Sequence, residues 1–275
     1  MQKKIAVIND LSGYGRCSLT VAIPVLSAMG HQCCPIPTAI LSNHTEFPVY
    51  FFDDYTEKMT TYTDKWKELG LSFDAIATGF LGSEAQIGIV MEIVQKLKAE
   101  KTFVVVDPVM GDHGHAYETY TPEMCEQMKE LVCMADIVLP NVTECCILTD
   151  TPYKKENWTR RELLNMAMML RLMGAKSVVI TGVREGSYYT NVVLERGQME
   201  AKFIRTRSSG GERPGTGDVF SSVVAGALLN GKSLPEAVAQ AAGFVKECIK
   251  VSDEEQIPHA NGVCFEKILG KLIKK

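Results

Sequence analysis

The residues best suited to chemistry lie together in Gly210-Gly211-Glu212-Arg213-Pro214-Gly215-Thr216-Gly217-Asp218-Val219-Phe220, where small residues run into a long apolar segment. Residues 219–230 read as the helix that follows. Gly215 and Gly217 leave the N–H groups of Gly215, Thr216 and Gly217 uncovered, so unpaired donors and the positive end of a helix dipole face one point. That makes an anion site, with Asp218 beside it in the first turn. A carboxylate repels an anion that merely binds. Next to a phosphoryl group in transit, however, it can take the proton of an attacking hydroxyl. A helix-start acid behind a glycine turn explains the same residues in isolation, so companion motifs must decide.

The elements that position such companions follow from the hydrophobic pattern. Strand-like stretches at 4–8, 32–40, 75–80, 103–106, 137–139 and 178–181 alternate with helical ones at 16–29, 53–69, 84–99, 122–134 and 159–173. Thr121 caps one helix, and Thr159 with Glu162 forms the capping box of another. This is the α/β rhythm of a mostly parallel central sheet flanked by helices on both faces. Residues 188–194 and 199–204, joined around Arg196-Gly197, break the rhythm as a hairpin. No linker divides the 275 residues, which are expected to form a single domain.

Ligands of such sheets bind beyond the carboxyl ends of the strands. The first strand ends in Asn9-Asp10-Leu11-Ser12-Gly13-Tyr14-Gly15 and the second in Ser42-Asn43-His44-Thr45. Later ends carry Thr78-Gly79-Phe80-Leu81-Gly82-Ser83, Asp107-Pro108-Val109-Met110-Gly111, Asn141-Val142-Thr143-Glu144 and Thr181-Gly182. Any one of these reads as a turn or a cap. Six ends rich in acids, hydroxyls and glycines point to a shared site.

Gly-Thr-Gly-Asp at 215–218, Asn-x-x-Glu at 141–144 and Asp-Pro-Val-Met-Gly at 107–111 resemble the ribokinase-like superfamily. Ser-Asn-His-Thr at 42–45 and Gly-Phe-Leu-Gly-Ser at 79–83 narrow the resemblance to the pyridoxal kinases. It implies transfer of the γ-phosphoryl of ATP to the hydroxymethyl group of pyridoxal, pyridoxamine or pyridoxine. Asp218 matches the base, and the amides of Gly215, Thr216 and Gly217 match the anion hole. Asp107, Asn141, Glu144, Thr181 and Gly182 fall on the nucleotide side, with Asp107 and Glu144 near Mg²⁺, partly through water. Asp10, Ser12, His44, Thr45 and Phe80 fall where the pyridine ring is held. The resemblance further implies a homodimer and admits a monovalent cation such as K⁺. Pyridoxal kinases commonly show Ser in place of Asp10 and Tyr in place of Phe80. Asp10-Leu11-Ser12-Gly13 is also similar to the hydroxymethylpyrimidine kinases, which leaves that substrate, or vitamer binding without catalysis, as alternatives. A carboxylate facing the ring pocket at Asp10 favours a cation, which predicts pyridoxamine as at least as good a substrate as pyridoxal.

Composition narrows the setting. A net charge of −4 offers no basic footprint for nucleic acid or an anionic membrane surface. No apolar run approaches the roughly 20 residues of a membrane span, and Met1-Gln2-Lys3-Lys4 leads straight into a strand, so a cytoplasmic protein is expected. Nine cysteines without a Cys-x-x-Cys pattern predict reduced, mostly buried thiols. Two motifs are decoys. Residues 226–233 fit Gly-x4-Gly-Lys-Ser, but Gly226 lies in a helical pattern, Gly231 reads as a helix stop, and Ser233 with Glu236 as a capping box. Gly13-Tyr14-Gly15-Arg16-Cys17-Ser18 lacks the third glycine of a dinucleotide fingerprint, and no acid follows at the right distance.

Overall fold

The computed structural model describes residues 2–273. Its first half comprises β1 (Lys4–Tyr14), α1 (Ser18–Ala28), β2 (Gln32–Asn43), β3 (Phe52–Asp54), α2 (Thr56–Glu68), β4 (Ala75–Thr78), α3 (Glu84–Leu97), β5 (Phe103–Val106), β6 (Gly111–Asp112) and β7 (His115–Ala116). The second half comprises α4 (Pro122–Cys133), β8 (Ile137–Val138), α5 (Val142–Leu148), α6 (Arg160–Met173), β9 (Ser177–Glu185), β10 (Tyr188–Leu194), β11 (Lys202–Arg207), α7 (Thr216–Leu229) and α8 (Leu234–Glu254). Two 3-10 turns follow.

Nine strands form one sheet in the order β11-β10-β9-β8-β5-β4-β1-β2-β3. The run from β9 through β2 is parallel, and β3, β10 and β11 add antiparallel edges. Strand alternation divides the apolar side chains between two helical layers. Ala6 and Ile8 of β1, with Val104 and Val106 of β5, face the layer of α3, α4 and α6. Ile5, Val7 and Val105 face the layer of α1, α7 and α8. Each layer shields one side of the sheet, as buried parallel strands require.

From β1 the chain steps to β2 on one side, then returns to β4 on the other. The connections therefore diverge at the carboxyl ends of β1 and β4, which is where an open α/β sheet leaves a crevice.

Several boundaries differ from the sequence pattern. β1 runs on to Tyr14, so Asp10 and Ser12 lie within an extended strand. Its ladder with β2 shifts register between Asn9 and Leu11, a bulge of the kind found beside sites. Phe52, Asp53 and Asp54 form the edge strand β3. The helix begins only at Thr56, whose N–H donates to Asp54 Oδ1 at 2.7 Å. The second hairpin strand starts at Lys202. The short β6–β7 hairpin was not foreseen; its turn holds His113 at φ +52° and Gly114 at φ +87°, as a tight two-residue connection demands. Five of the nine free cysteines are buried.

The decoy at 226–233 resolves as expected. Gly226 lies inside α7, Gly231 takes φ +85° after its end, and Ser233 with Glu236 caps α8. Since α7 has 14 residues, Lys232 lies about 20 Å from the Asp218 end. Lys232→Ala is expected to leave phosphate binding there unchanged within about twofold, while Ser233→Ala lowers stability by about 1 kcal/mol. Isothermal titration and chemical unfolding check the pair; strong loss of binding in the Lys232 variant would mean the decoy is real.

Candidate active site

Gly215 caps α7 in the left-handed conformation, at φ +78°. A Cβ there would sit 1.8 Å from the Arg16 carbonyl oxygen, so only glycine allows the loop to press against the β1–α1 connection. Thr216 donates its hydroxyl to Arg213 O at 3.0 Å, while its N–H reaches that oxygen only at 3.5 Å. The loop is clamped from behind. Arg213 bonds Ile257 O at 2.9 Å and pairs with Asp253, and Val263 N–H donates to Pro214 O at 3.1 Å. Arg16 in turn pairs with Glu266 at 2.6 Å. These contacts fix the loop that leads into the amino end of α7.

Asp218 lies in the first turn of α7. Its Oδ1 accepts from Asn9 Nδ2 at 3.1 Å. Burial pushes its pKa up to about 6, opposed by the Ser18 amide and the Asn9 side chain, both of which favour the ionised form, and assisted by the charge of Asp10. At neutral pH it is still about ten to one ionised, which is what a base needs.

Asp107, from the end of β5, is raised to about 8 by burial and by the charge of Asp218, against a hydrogen bond from Ser221 of α7. Glu144 is 3% exposed and raised well above the usual range by burial and by Asp107. Its two oxygens accept from Met110 N–H at 3.2 Å and Asn141 N–H at 2.7 Å, the latter as half of the α5 capping box. The three acids therefore form one mutually repelling cluster.

Asn141 also donates Nδ2 to Gly111 O at 2.8 Å, which ties α5 to the β6–β7 hairpin. It bridges to Thr181, whose N–H donates to Pro140 O at 2.8 Å. Gly182 takes φ +67° and donates to Asn191 Oδ1 at 3.2 Å. β9 runs on past Thr181 and Gly182 to Glu185, and at its far end opens a cleft of about 460 Å³ lined by Arg184, Ser187, Tyr189, Arg207, Gly210 and Glu212.

The expected ring-side residues are less uniform. Asp10 is 6% exposed, and its oxygens accept from Ser12 Oγ at 2.8 Å and Ser18 Oγ at 2.5 Å, while burial raises its pKa. Its carboxylate is thus engaged by two hydroxyls inside the protein. Ser12 is fully buried by the same contact. His44 donates Nε2–H to Ala260 O at 2.7 Å and packs on Phe47, and its ring lies where a Cβ on Gly15 would collide. Its Nδ1 is the side facing the Glu46 amide, which sets that tautomer. Thr45 is exposed on the following turn. Phe80 is half-buried, and its N–H donates to Asn9 Oδ1 at 2.9 Å. Asp218, Asp107 and Glu144 are brought together with Asp10 and Phe80 near them; Thr45 stands apart on the rim.

Sequence reasoning missed Asn9, Ser18 and Ser221. Ser18 is the most unusual, a non-glycine residue at φ +52° that turns its amide to Asp218 and its hydroxyl to Asp10. Its only sequence signal is a serine at the start of an apolar helix.

Comparison with known proteins shows the family and the fold. The sequence profile of the phosphomethylpyrimidine kinases matches residues 22–264. A Bacteroides thetaiotaomicron protein assigned to the phosphomethylpyrimidine kinases and crystallised with pyridoxal is 40% identical, with a TM-score of 0.94 over 99% of this chain and 96% of that one. The pyridoxal kinase of Lactobacillus plantarum superposes with a TM-score of 0.91 at 27% identity, covering 99% of this chain and 97% of that one. The pyridoxine kinase of Bacillus subtilis is 28% identical over 262 residues, 92% of this chain and 85% of its own. The sheet order and helical layers are those of the ribokinase-like fold, and the matches place the chain among its kinases. The chain belongs to the phosphomethylpyrimidine kinase family, and pyridoxal and pyridoxine kinases are among its relatives.

The clustered acids generate a test of stability against pH. A carboxyl whose native pKa lies above its unfolded value of about 4 binds its proton more tightly when folded. Its charge therefore destabilises the native state above the native pKa, and the penalty disappears below the unfolded one. With Asp107 at about 8, Asp107→Asn is expected to raise Tm in metal-free buffer at about pH 8.5 and to change it little near pH 4. A lower Tm at the higher pH would contradict the repulsion described.

Proposed function

We propose that the protein transfers the γ-phosphoryl group of ATP to the hydroxymethyl group of a vitamin B6 vitamer, pyridoxal, pyridoxamine or pyridoxine. What supports this reading is Asp218, an ionisable base in the first turn of α7, directly behind the left-handed glycine that starts the helix. In this reading Asp218 takes the alcohol proton as the oxygen bonds to the γ-phosphorus and the bond to ADP breaks. The amides of Gly215, Thr216 and Gly217 hold the charge on the phosphoryl oxygens. The resemblance to a relative crystallised with pyridoxal favours a pyridine as acceptor.

Asp107, Asn141, Glu144, Thr181 and Gly182 line the nucleotide side, and the Arg184–Arg207 cleft suits the remainder of a polyanionic donor. Mg²⁺ fits the donor set. Asp107 and Glu144 are oxygen ligands whose repulsion a divalent cation relieves, and Glu144 has both oxygens already bonded to backbone amides, which suits contact through water. Among the described residues no group of three or more His, Cys, Asp or Glu forms a closed metal site. When bound, Mg²⁺ would neutralise charge on the transferring phosphates. The exposed Val49, Tyr50, Phe51 and Phe52 beside the β3 edge are consistent with a homodimer. Among the described residues no helix is long and apolar enough to cross a membrane.

A relative named as a hydroxymethylpyrimidine/phosphomethylpyrimidine kinase, 32% identical over 174 residues, supports a second reading, phosphorylation of hydroxymethylpyrimidine. Incubating the protein with Mg-ATP and a panel of B6 vitamers, hydroxymethylpyrimidine and simple sugars, following ADP release, separates the two. The highest kcat/KM is expected for a vitamer; a higher value for hydroxymethylpyrimidine would exchange the readings, and no release with any alcohol would favour a vitamer-binding protein without catalysis. Asp218→Asn is expected to lower kcat about 100-fold or more while ATP affinity stays within about threefold. Equal loss of both would assign the acid a structural role.

A further inference from the structure

Asn9 sits at the carboxyl end of β1 beside the crevice, 5% exposed, and every polar atom of its side chain is engaged. Oδ1 accepts the N–H of Asp10 at 3.0 Å and that of Phe80 at 2.9 Å, the second arriving from the end of β4. Nδ2 donates to Asp218 Oδ1 at 3.1 Å, across 209 residues of chain. Only one orientation of the amide satisfies these partners. Flipped, its oxygen would face a carboxylate and its nitrogen two N–H donors. Gly79 completes the seat, since a Cβ there would lie 2.4 Å from Nδ2 and 2.5 Å from Cγ.

From this geometry we infer that Asn9 is a positioning residue for phosphoryl transfer: its locked amide grips Asp218 Oδ1 and so aims the other carboxylate oxygen at the alcohol. The inference rests on the kinase reading above. Besides Asn9, the Asp218 carboxylate has the Ser18 amide as a partner, while Asp10 and Asp107 repel it, so a second donor is what fixes rotation about its two side-chain bonds. A lysine or arginine would also hold it, but a cation so close would strengthen the ionised form and weaken the base. A neutral donor fixes the direction without that cost.

A purely structural role, tying the ends of β1 and β4 through the two amides bound to Oδ1, is the competing explanation. Asn9→Asp separates the two, because it keeps the oxygen that accepts from Asp10 and Phe80 and turns the donor that faces Asp218 into a repelling acceptor. The expected result is a kcat about 100-fold lower with KM for ATP and for the alcohol within about threefold. In an Asp218→Asn background the same change is expected to cost nothing further. Circular dichroism checks that Asn9→Asp folds. If it does not, Gly79→Ala, which crowds the amide from the far side, is expected to give the same kcat-selective loss and decides the question. A kcat within threefold of wild type, or an equal loss in the Asp218→Asn background, overturns the inference while leaving the kinase reading intact. A wild-type protein that phosphorylates none of the alcohols overturns the kinase reading first, before any variant is compared, and the inference with it.

Discussion

Three carboxylates, the buried Glu144 and the half-buried Asp107 and Asp218, lie at one end of the sheet, and each is pushed toward its protonated form. Such an arrangement costs stability unless other groups hold the charges. Here the holding groups are neutral. Glu144 rests on the Met110 and Asn141 amides, Asp107 on the Ser221 hydroxyl, and Asp218 on Asn9 and the Ser18 amide. Neutral donors keep the acids in place yet leave their charge available for a cation or a proton, which salt bridges would not. The cost in stability and the capacity for chemistry have the same origin.

The fold delivers these groups through its strand order. Because β2 and β4 flank β1, their connections part at the crevice, and α7, packed in the same layer as α1, starts beside the β1–α1 connection. Gly215 is the narrowest part of this fit. Its positive φ and its contact with the Arg16 backbone lock the amide cradle to the β1–α1 connection. Arg213 and Val263 anchor the cradle to the C-terminal segment, so the site is assembled from both ends of the chain.

Much of this was legible in the sequence, for reasons that differ between residues. Gly-Thr-Gly-Asp announces itself because backbone amides, a helix start and an acid are adjacent along the chain. The capping boxes at Thr159 and Ser233 are likewise local, and both formed. Asn9 could not be read this way. An asparagine at a strand end has an ordinary explanation as a cap, and its role depends on β4 and α7 being neighbours of β1, which no local pattern encodes. Asp10 shows the same limit in reverse: its position was foreseen, but not that Ser12 and Ser18 would turn its carboxylate inward. β3 was read as helix because two acids ahead of Thr56 resemble a helix start, while the edge of β2 draws them into a ladder.

The central claim is that the amides of residues 215–217, Asp218, and the Asp107–Glu144 pair act on one transferring group. A crystal structure with MgADP, aluminium fluoride and pyridoxal tests it most directly. The planar fluoride is expected against the first amides of α7, with Asp218 facing the hydroxymethyl oxygen and the metal on the Asp107–Glu144 side. Fluoride bound away from α7, or a vitamer whose hydroxyl points away from Asp218, would contradict it.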